Sequence, residues 1–175
     1  AKWANFTGAS LPQADFREAD LFHAIFDEAD LTEARLSGAY LFGANLINAR
    51  APRADFAGAY LKDILMEGID ISGGSLKGCY SFRGVFSGAK LAGTDLSGAD
   101  LTGAAAEEVD FRRARLVGTS LKGATLRRAV FTEADMAGAD LANADVWDAN
   151  FDRARNRPAS VQEALIEPFV VRDRR

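Results

Sequence analysis

The sequence has a single cysteine, Cys79, and a single histidine, His23, in 175 residues. One cysteine excludes an intramolecular disulfide framework. One histidine leaves little with which to build a zinc site or a nucleophile–base pair. We therefore expect no catalytic residue, no metal site and no cofactor. We expect His23 to be a surface residue and Cys79 an inert core residue.

Charge and hydropathy exclude two further classes of protein. The net charge is −4, from 25 acidic and 21 basic residues, and this lacks the basic excess of a nucleic-acid-binding surface. No apolar run approaches the roughly 20 residues of a membrane-spanning helix, and no signal peptide is visible. We expect a single domain in the cytoplasm, with no membrane contact. The start at Ala1 leaves an exported or processed protein open.

What the sequence does contain is a repeat of five residues. Of the 30 residues taken at every fifth position from Phe6 to Phe151, eight are Phe and fifteen are Leu, and we call this the centre position. Two residues earlier, at the small position, 22 of 30 are Ala. The outward position between them is often Asp or Asn. Two residues after the centre, at the corner position, lie 14 of the 16 glycines.

A period of five fits neither a helix nor a single flat strand. The centre and small positions are alternate residues of an extended segment, so both side chains point inward. The remaining residues must turn the chain, and glycine at a fixed place suits a turn that needs positive φ. Four such corners close a coil of 20 residues, and stacked coils pair as parallel strands about 4.8 Å apart.

The repeat therefore predicts a four-sided parallel β-helix with a column of large apolar side chains inside. Thirty pentapeptides make about 7.5 coils and a rod roughly 36 Å long. Each buried large side chain contributes roughly 1.5–3 kcal/mol, so the column dominates stability. The column includes Phe6, Leu11, Phe16, Leu21, Phe26, Leu31, Leu96, Leu101, Phe111 and Phe131.

The pattern A-(D/N)-(L/F)-x-x resembles that of the pentapeptide-repeat protein family. It occurs as ADFRE at 14–18, ADLTE at 29–33, ANLIN at 44–48 and ADLTG at 99–103. The resemblance covers about residues 4–155 and implies an all-β, right-handed quadrilateral β-helix. The family has no shared catalytic residues, and its understood members include gyrase-protecting proteins of the quinolone-resistance type that mimic DNA. The resemblance thus implies a fold, and not one function.

The pattern is weakest at 62–88. Ile64 and Ile69 replace Ala at the small position, and Ser81 replaces a large centre. We expect the extra and missing volumes to compensate, or a local bulge or altered corner to form. Any bulge must be undone nearby, because the register resumes unshifted at Phe86.

The two ends of the rod need covering. We divide the chain into a β-helix at 1–156 and a capping helix and tail at 157–175. Ser160 and Glu163 form a capping box for a short helix at 161–167. We expect this helix to cover the unpaired backbone edge of the last coil. The alternative is that the helix mediates dimerisation. Its capping residues are Ser160, Val161 and Leu165. The N-terminal coil has no matching cap beyond Trp3, so it is a second surface for stacking on another copy.

One side of the first coils carries outward apolar residues. Residues twenty apart lie directly above one another in successive coils, and Tyr40, Tyr60 and Tyr80 have this spacing. The predicted strip is Phe22, Tyr40, Phe42, Tyr60, Tyr80 and Phe82, together with Ile25, Ile47, Leu65 and Val85 on the neighbouring side. In one interpretation the rings stack and stabilise the sheet by roughly 0.2–1 kcal/mol per pair. In the other, which we favour, a contiguous exposed apolar patch marks a site for a protein partner or a second copy.

The outward charges do not resemble DNA. One column reads Asp15, Arg35, Asp55, Ser75, Asp95, Arg115 and Asp135, so its sign alternates, whereas a DNA mimic needs sustained negative charge. A basic region holds Arg112, Arg113, Arg115, Arg127 and Arg128. We interpret it as solvated surface, with an acidic partner as the alternative.

These observations favour a non-enzymatic interaction or scaffold protein that presents a rigid rod. The partner is a protein or a second copy, and neither a small-molecule substrate nor a nucleic acid is expected. A DNA-mimicking protector of gyrase or topoisomerase is the alternative that the family resemblance implies.

Overall fold

The computed structural model describes residues 1–162, and this part of the chain contains no α-helix and no continuous strand. Single parallel β-bridges instead join residues twenty apart, in an unbroken series from Asn5↔Ile25 to Asp135↔Arg155. Every bridge residue is at an outward position, and bridges recur every five residues. Each coil of twenty residues therefore has four short sides, and the fold is all-β.

Backbone hydrogen bonds hold successive coils together. From Phe6 to Met136 the N–H of each centre donates to a carbonyl in the next coil, as Phe6 does to Ile25 at 2.7 Å. The N–H at the corner position does the same, as Gly8 does to Asp27 at 2.8 Å. The outward N–H donates to the previous coil, as Ile25 does to Ala4 at 2.9 Å. Because this ladder pairs the backbone polar groups of the rod's interior, the sides can be buried without a desolvation penalty.

The corners are four-residue turns. From Ala9 to Ala104 the N–H of each small position donates to the preceding centre carbonyl, as Ala9 does to Phe6 at 2.9 Å. Every corner position from Trp3 to Arg153 has positive φ, as the third residue of a type II turn requires. Glycine occupies only fourteen of these positions, and the others hold unbranched polar residues, His23 or Trp3. The stack of coils therefore imposes this conformation on many residues that do not prefer it.

The predicted column lies inside the rod. Its residues Leu21, Phe26, Leu31, Leu96, Leu101, Phe111 and Phe131 are fully buried. Phe6, Leu11 and Phe16 are only half-buried, because no described coil lies beneath the first one, and they pack against the core from its open end. The Phe6 and Phe26 rings stack at 4.8 Å between centroids.

The irregular stretch at 62–88 keeps its register. The bridges Leu65↔Val85 and Asp70↔Lys90 follow the same twenty-residue spacing as elsewhere, so the expected alternative of a bulge is wrong. Ser81 is fully buried, and its hydroxyl donates to the carbonyl of Leu61 at 3.3 Å. A polar residue in the column is thus accommodated by a hydrogen bond to the coil below.

Only residues 161 and 162 of the helix predicted at 161–167 are among the described residues. The structure has a 3₁₀-helix at Ala159–Gln162, where the N–H of Val161 donates to Pro158 at 3.2 Å. Val161 is half-buried and packs against the core. Glu163 and Leu165, predicted to belong to the cap, lie outside the described residues. Within residues 1–162, no helix has the length and apolar character needed to cross a bilayer.

Candidate functional site

The three tyrosines form a ladder on one side of the rod, which we call the tyrosine side. Bridges join Tyr40 to Tyr60 and Tyr60 to Tyr80, so the backbone fixes the three residues one above another. The ring centroids of Tyr40 and Tyr60 lie 5.0 Å apart, and those of Tyr60 and Tyr80 lie 5.3 Å apart. Each ring therefore packs against the ring of the next coil.

Two phenylalanines extend this ladder toward the N-terminus. The Phe22 and Phe42 rings are nearly parallel, with centroids 5.6 Å apart, and Tyr40 lies 6.5 Å from Phe42. Both are half-buried. Trp3 meets Phe22 edge to face at 5.4 Å. The ring contacts therefore form one continuous cluster from the first coil to the coil of Tyr80.

Trp3 does not cover the open first coil as the sequence suggested. Its ring stacks on His23 at 4.7 Å, beside the rod, and 67% of the residue is exposed. His23 Nδ1 lies 3.1 Å from the carbonyl of Gly43, which fixes the ring against the corner above. The spacing of twenty between Trp3 and His23 could have revealed this contact, because corner residues stack in the same way as outward ones.

The predicted strip is divided by a corner of the rod. Its aliphatic members Ile25, Ile47, Leu65 and Val85 lie on the neighbouring side, beyond a corner that carries an ion pair between Arg83 and Asp63 at 2.9 Å. Phe82 is half-buried, and the Arg83 guanidinium lies 5.8 Å from its ring centroid. The structure thus brings the aromatic residues together and sets the aliphatic ones apart.

The tyrosine side remains accessible despite the stacking. Tyr40 is 40% exposed and Tyr80 38%, and Leu65 on the neighbouring side is 36% exposed. Sequence reasoning missed a cation among these rings. The Nζ atom of Lys62 lies 5.7 Å from the centroid of the Phe42 ring, which is twenty residues earlier in the chain.

The charged residues elsewhere form ladders between coils. At corner positions twenty residues apart, Arg53 pairs with Glu33 at 2.6 Å and Arg128 with Glu108 at 2.5 Å. Pairing between coils therefore neutralises charge at these corners. Asp15 instead pairs with Arg17 on its own turn, and hydrogen bonds from Arg17 lower the pKa of Asp15 to about 2.

Three of the five arginines of the predicted basic region have ion-pair partners. Arg112 pairs with Asp110 at 2.6 Å, and its hydrogen bonds lower the pKa of that carboxyl. Arg127 pairs with Asp145 at 2.5 Å. Arg113 instead lines a cleft of about 380 Å³ with Glu133, Arg153 and Arg155. Partial neutralisation by these pairs weakens the basic region as a binding surface.

The described residues show no obvious reactive centre. Cys79 is buried, and desolvation raises its pKa to about 12, so the thiol stays protonated at neutral pH. No group of three or more His, Cys, Asp or Glu side chains within residues 1–162 is arranged to hold a metal ion.

The twenty-residue coil and its repeated centres are matched by a known family. A sequence profile of pentapeptide repeats (8 copies) matches residues 2–38, 39–78, 85–118 and 119–155. The chain belongs to the pentapeptide repeat family. The profile is interrupted between 78 and 85, where Cys79, Ser81 and Gly84 depart from the repeat.

Solved structures of other pentapeptide repeat proteins are similar to this one. HetL, involved in the regulation of heterocyst differentiation in the cyanobacterium Nostoc sp. strain PCC 7120, is 28% identical, with a TM-score of 0.61. The match covers 84% of this chain and 74% of HetL. QnrB1, a plasmid-mediated fluoroquinolone resistance protein, is 17% identical with a TM-score of 0.53, over 86% of this chain and 83% of its own. At that identity the similarity shows the fold alone. No curated protein sequence matches the chain.

Proposed function

We propose that this pentapeptide repeat protein is a non-enzymatic interaction or scaffold protein whose tyrosine side binds a protein partner. The observation that carries the proposal is the aromatic cluster, in which Tyr40 and Tyr80 keep 40% and 38% of their surface exposed. Aromatic residues are enriched where proteins bind one another. HetL, a 28% identical relative, is involved in the regulation of heterocyst differentiation, and a role in regulation is compatible with this proposal.

The rod suits this role because it is already ordered. We propose a right-handed β-helix of about 7.5 coils over residues 1–156, with residues 157–175 as the cap on its last coil. Backbone bonds between coils, such as Tyr40 N–H to Ala19 at 2.9 Å, fix each outward side chain to a rigid frame. Binding then costs little ordering entropy, so modest contacts suffice for a stable complex.

The alternative role of the cluster is purely structural. Stacked cross-strand rings contribute roughly 0.2–1 kcal/mol per pair, so removing one ring should cost little stability. If the cluster serves binding, Tyr60→Ser should therefore leave the fold intact and weaken partner binding. A loss of several kcal/mol in the free energy of unfolding would instead assign the cluster to stability.

A matched pair of triple variants tests the proposal. One replaces Tyr40, Tyr60 and Tyr80 with Ser. The control replaces Arg50, Asp70 and Lys90 with Ser, which are outward residues of the same coils on the opposite side. Partners retained from an extract of the source cells are compared by mass spectrometry, alongside thermal unfolding. We expect partners kept by the wild type and the control to be lost from the tyrosine variant. Equal retention by all three chains would contradict the proposal.

Protection of gyrase or topoisomerase by DNA mimicry is the second candidate. The fold shared with QnrB1 favours it, while the ion-pair ladders count against it because they leave little sustained negative charge. A gyrase supercoiling assay with and without the protein decides the matter. An absence of any effect at micromolar protein would exclude this candidate.

A further inference from the structure

Charges on the tyrosine side are arranged symmetrically about its middle coil. That coil carries Tyr60 and Lys62, and the coils on either side each carry a tyrosine and a phenylalanine. Two coils away in each direction, the outward residue is an aspartate, Asp20 toward the N-terminus and Asp100 toward the C-terminus. With coils spaced about 4.8 Å apart, the two aspartates lie about 19 Å from each other.

This symmetry restricts pairing with a second copy. A two-fold arrangement that buries the ring cluster centrally has its axis either along the rods or perpendicular to them at the coil of Tyr60, and in both cases Lys62 lies beside Lys62 of the other copy. If the rods run parallel, Asp20 faces Asp20 and Asp100 faces Asp100. If they run antiparallel, Asp20 faces Asp100. Both arrangements set like charges opposite each other, which disfavours the pairing.

Desolvation adds to this penalty. Lys62 is half-buried on the Phe42 ring, and an apolar surface laid over it would remove its remaining water. A buried ammonium group needs an anion or several acceptors to compensate. The outward neighbours at this coil are Tyr40 and Tyr80, so the tyrosine side offers a second copy hydroxyl groups there and no anion.

Burial of the Asp100 carboxylate would likewise require compensation, in this case by a cation. This carboxylate accepts the backbone N–H of Thr102 at 2.9 Å, and the residue is bridged to Tyr80 below and Ser120 above. Asp20 differs, since Lys2 lies 3.1 Å from its carboxylate. The unmet charges of the cluster are therefore one cation at its centre and one anion at its C-terminal border.

We infer that the tyrosine side binds a different protein rather than a second copy, through an apolar segment with a carboxylate opposite Lys62 and a cation opposite Asp100. This inference rests on the proposed function, since it specifies the chemistry of the partner at the same surface. The partner's two charged groups would be about 10 Å apart along the rod, because Lys62 and Asp100 are two coils apart.

Self-association tests the argument against a second copy. We expect the wild type to stay monomeric by light scattering from micromolar to millimolar concentration. The double variant Lys62→Ser with Asp100→Lys removes the central repulsion and sets a lysine opposite Asp20 in the antiparallel arrangement. It should associate at least tenfold more tightly than the wild type. The control, Lys122→Ser with Asp140→Lys, makes the same changes beyond the cluster and should stay monomeric.

Two outcomes of this experiment would overturn the inference. The first is a wild-type dimer that Tyr60→Ser dissociates. The second is a Lys62→Ser, Asp100→Lys variant that is as monomeric as the wild type, since the charges would then not be what prevents pairing.

A phage-displayed peptide library, used as the probe, tests the partner's chemistry. We expect the full chain to enrich apolar peptides that contain Asp or Glu, and Lys62→Glu to shift the enrichment to Lys or Arg and weaken the original peptides at least tenfold. Peptides whose binding is lost in Tyr60→Ser but unchanged in Lys62→Glu would overturn this inference and leave the proposed function standing. Enrichment that is unchanged by Tyr60→Ser, or no enrichment, would count against both.

Discussion

Ile64 and Gly84 occupy equivalent small positions in successive coils, and the absent side chain of the glycine accommodates the extra volume of the isoleucine. A Cβ atom on Gly84 would lie 3.3 Å from Ile64 Cγ2 and only 2.4 Å from Ser81 Oγ. The three departures from the repeat at this place therefore compensate one another across two coils. Compensation of volume explains why the register continues without a bulge.

Gly84→Ala should lower the free energy of unfolding by about 1–3 kcal/mol, because the added methyl group overfills the core. Ile64→Ala alone should cost about 2–5 kcal/mol through the cavity it leaves. The double variant should lose less than the sum of the two, since each change relieves the other. Chemical denaturation of the four proteins measures this coupling, and strictly additive losses would contradict the compensation.

Gly98→Val should destabilise the rod through its backbone alone. Gly98 has a φ of +68° and nothing within 4 Å of an added Cβ, so steric crowding by neighbours is absent. A β-branched residue in this region costs about 1–3 kcal/mol, whereas asparagine tolerates it. We expect Gly98→Val to lower the Tm and Gly98→Asn to change it little. Equal melting of the two variants would show that the corner does not require positive φ.

Leu96→Asp should unfold the middle coils. Leu96 is fully buried in the column, where a carboxylate would have no ion partner and would have to be desolvated. Leu96→Met keeps the volume and should cost less than about 1.5 kcal/mol. Circular dichroism during thermal unfolding separates the two. A cooperative transition in the aspartate variant at the wild-type temperature would be incompatible with this core.

Acid should remove the contribution of the Asp15–Arg17 pair. The pKa of Asp15 in the folded chain is about 2, below the ordinary value of 3.8, so ionised Asp15 stabilises the fold at neutral pH. That contribution is lost as the pH falls from about 4 through about 2. The Tm of the wild type should therefore approach that of Asp15→Asn near pH 2. In an Arg17→Gln background, Asp15→Asn should have little effect at any pH; a persistent effect would point to another partner.

Much of the fold could be predicted from the sequence because a five-residue period leaves few conformations. Alanine before each centre and glycine after it predict inward packing and tight corners, and the bridges at twenty-residue spacing agree with both. Positive φ at polar corners such as Glu33 or Arg53 could not be read from residue type, since neither residue prefers it. The hydrogen-bonded neighbours above and below impose it.

The candidate site was less predictable. Spacing alone aligned Tyr40, Tyr60 and Tyr80, because residues twenty apart occupy the same position in successive coils. It also placed Leu65 and Val85 on the side next to the tyrosines, one corner further along the chain, but it did not show that an ion pair lies at that corner. The contact of Lys62 with Phe42 depends on side-chain direction, which periodicity does not specify.

The sequence by itself determined the repeat, the inward column and the alignment of outward residues, because each follows from a period that the backbone must obey locally. Tertiary structure alone decided which charges neutralise one another and how far the rings are exposed. Those properties depend on distances between coils and across corners, where residues far apart in the chain compete for the same space and the same water.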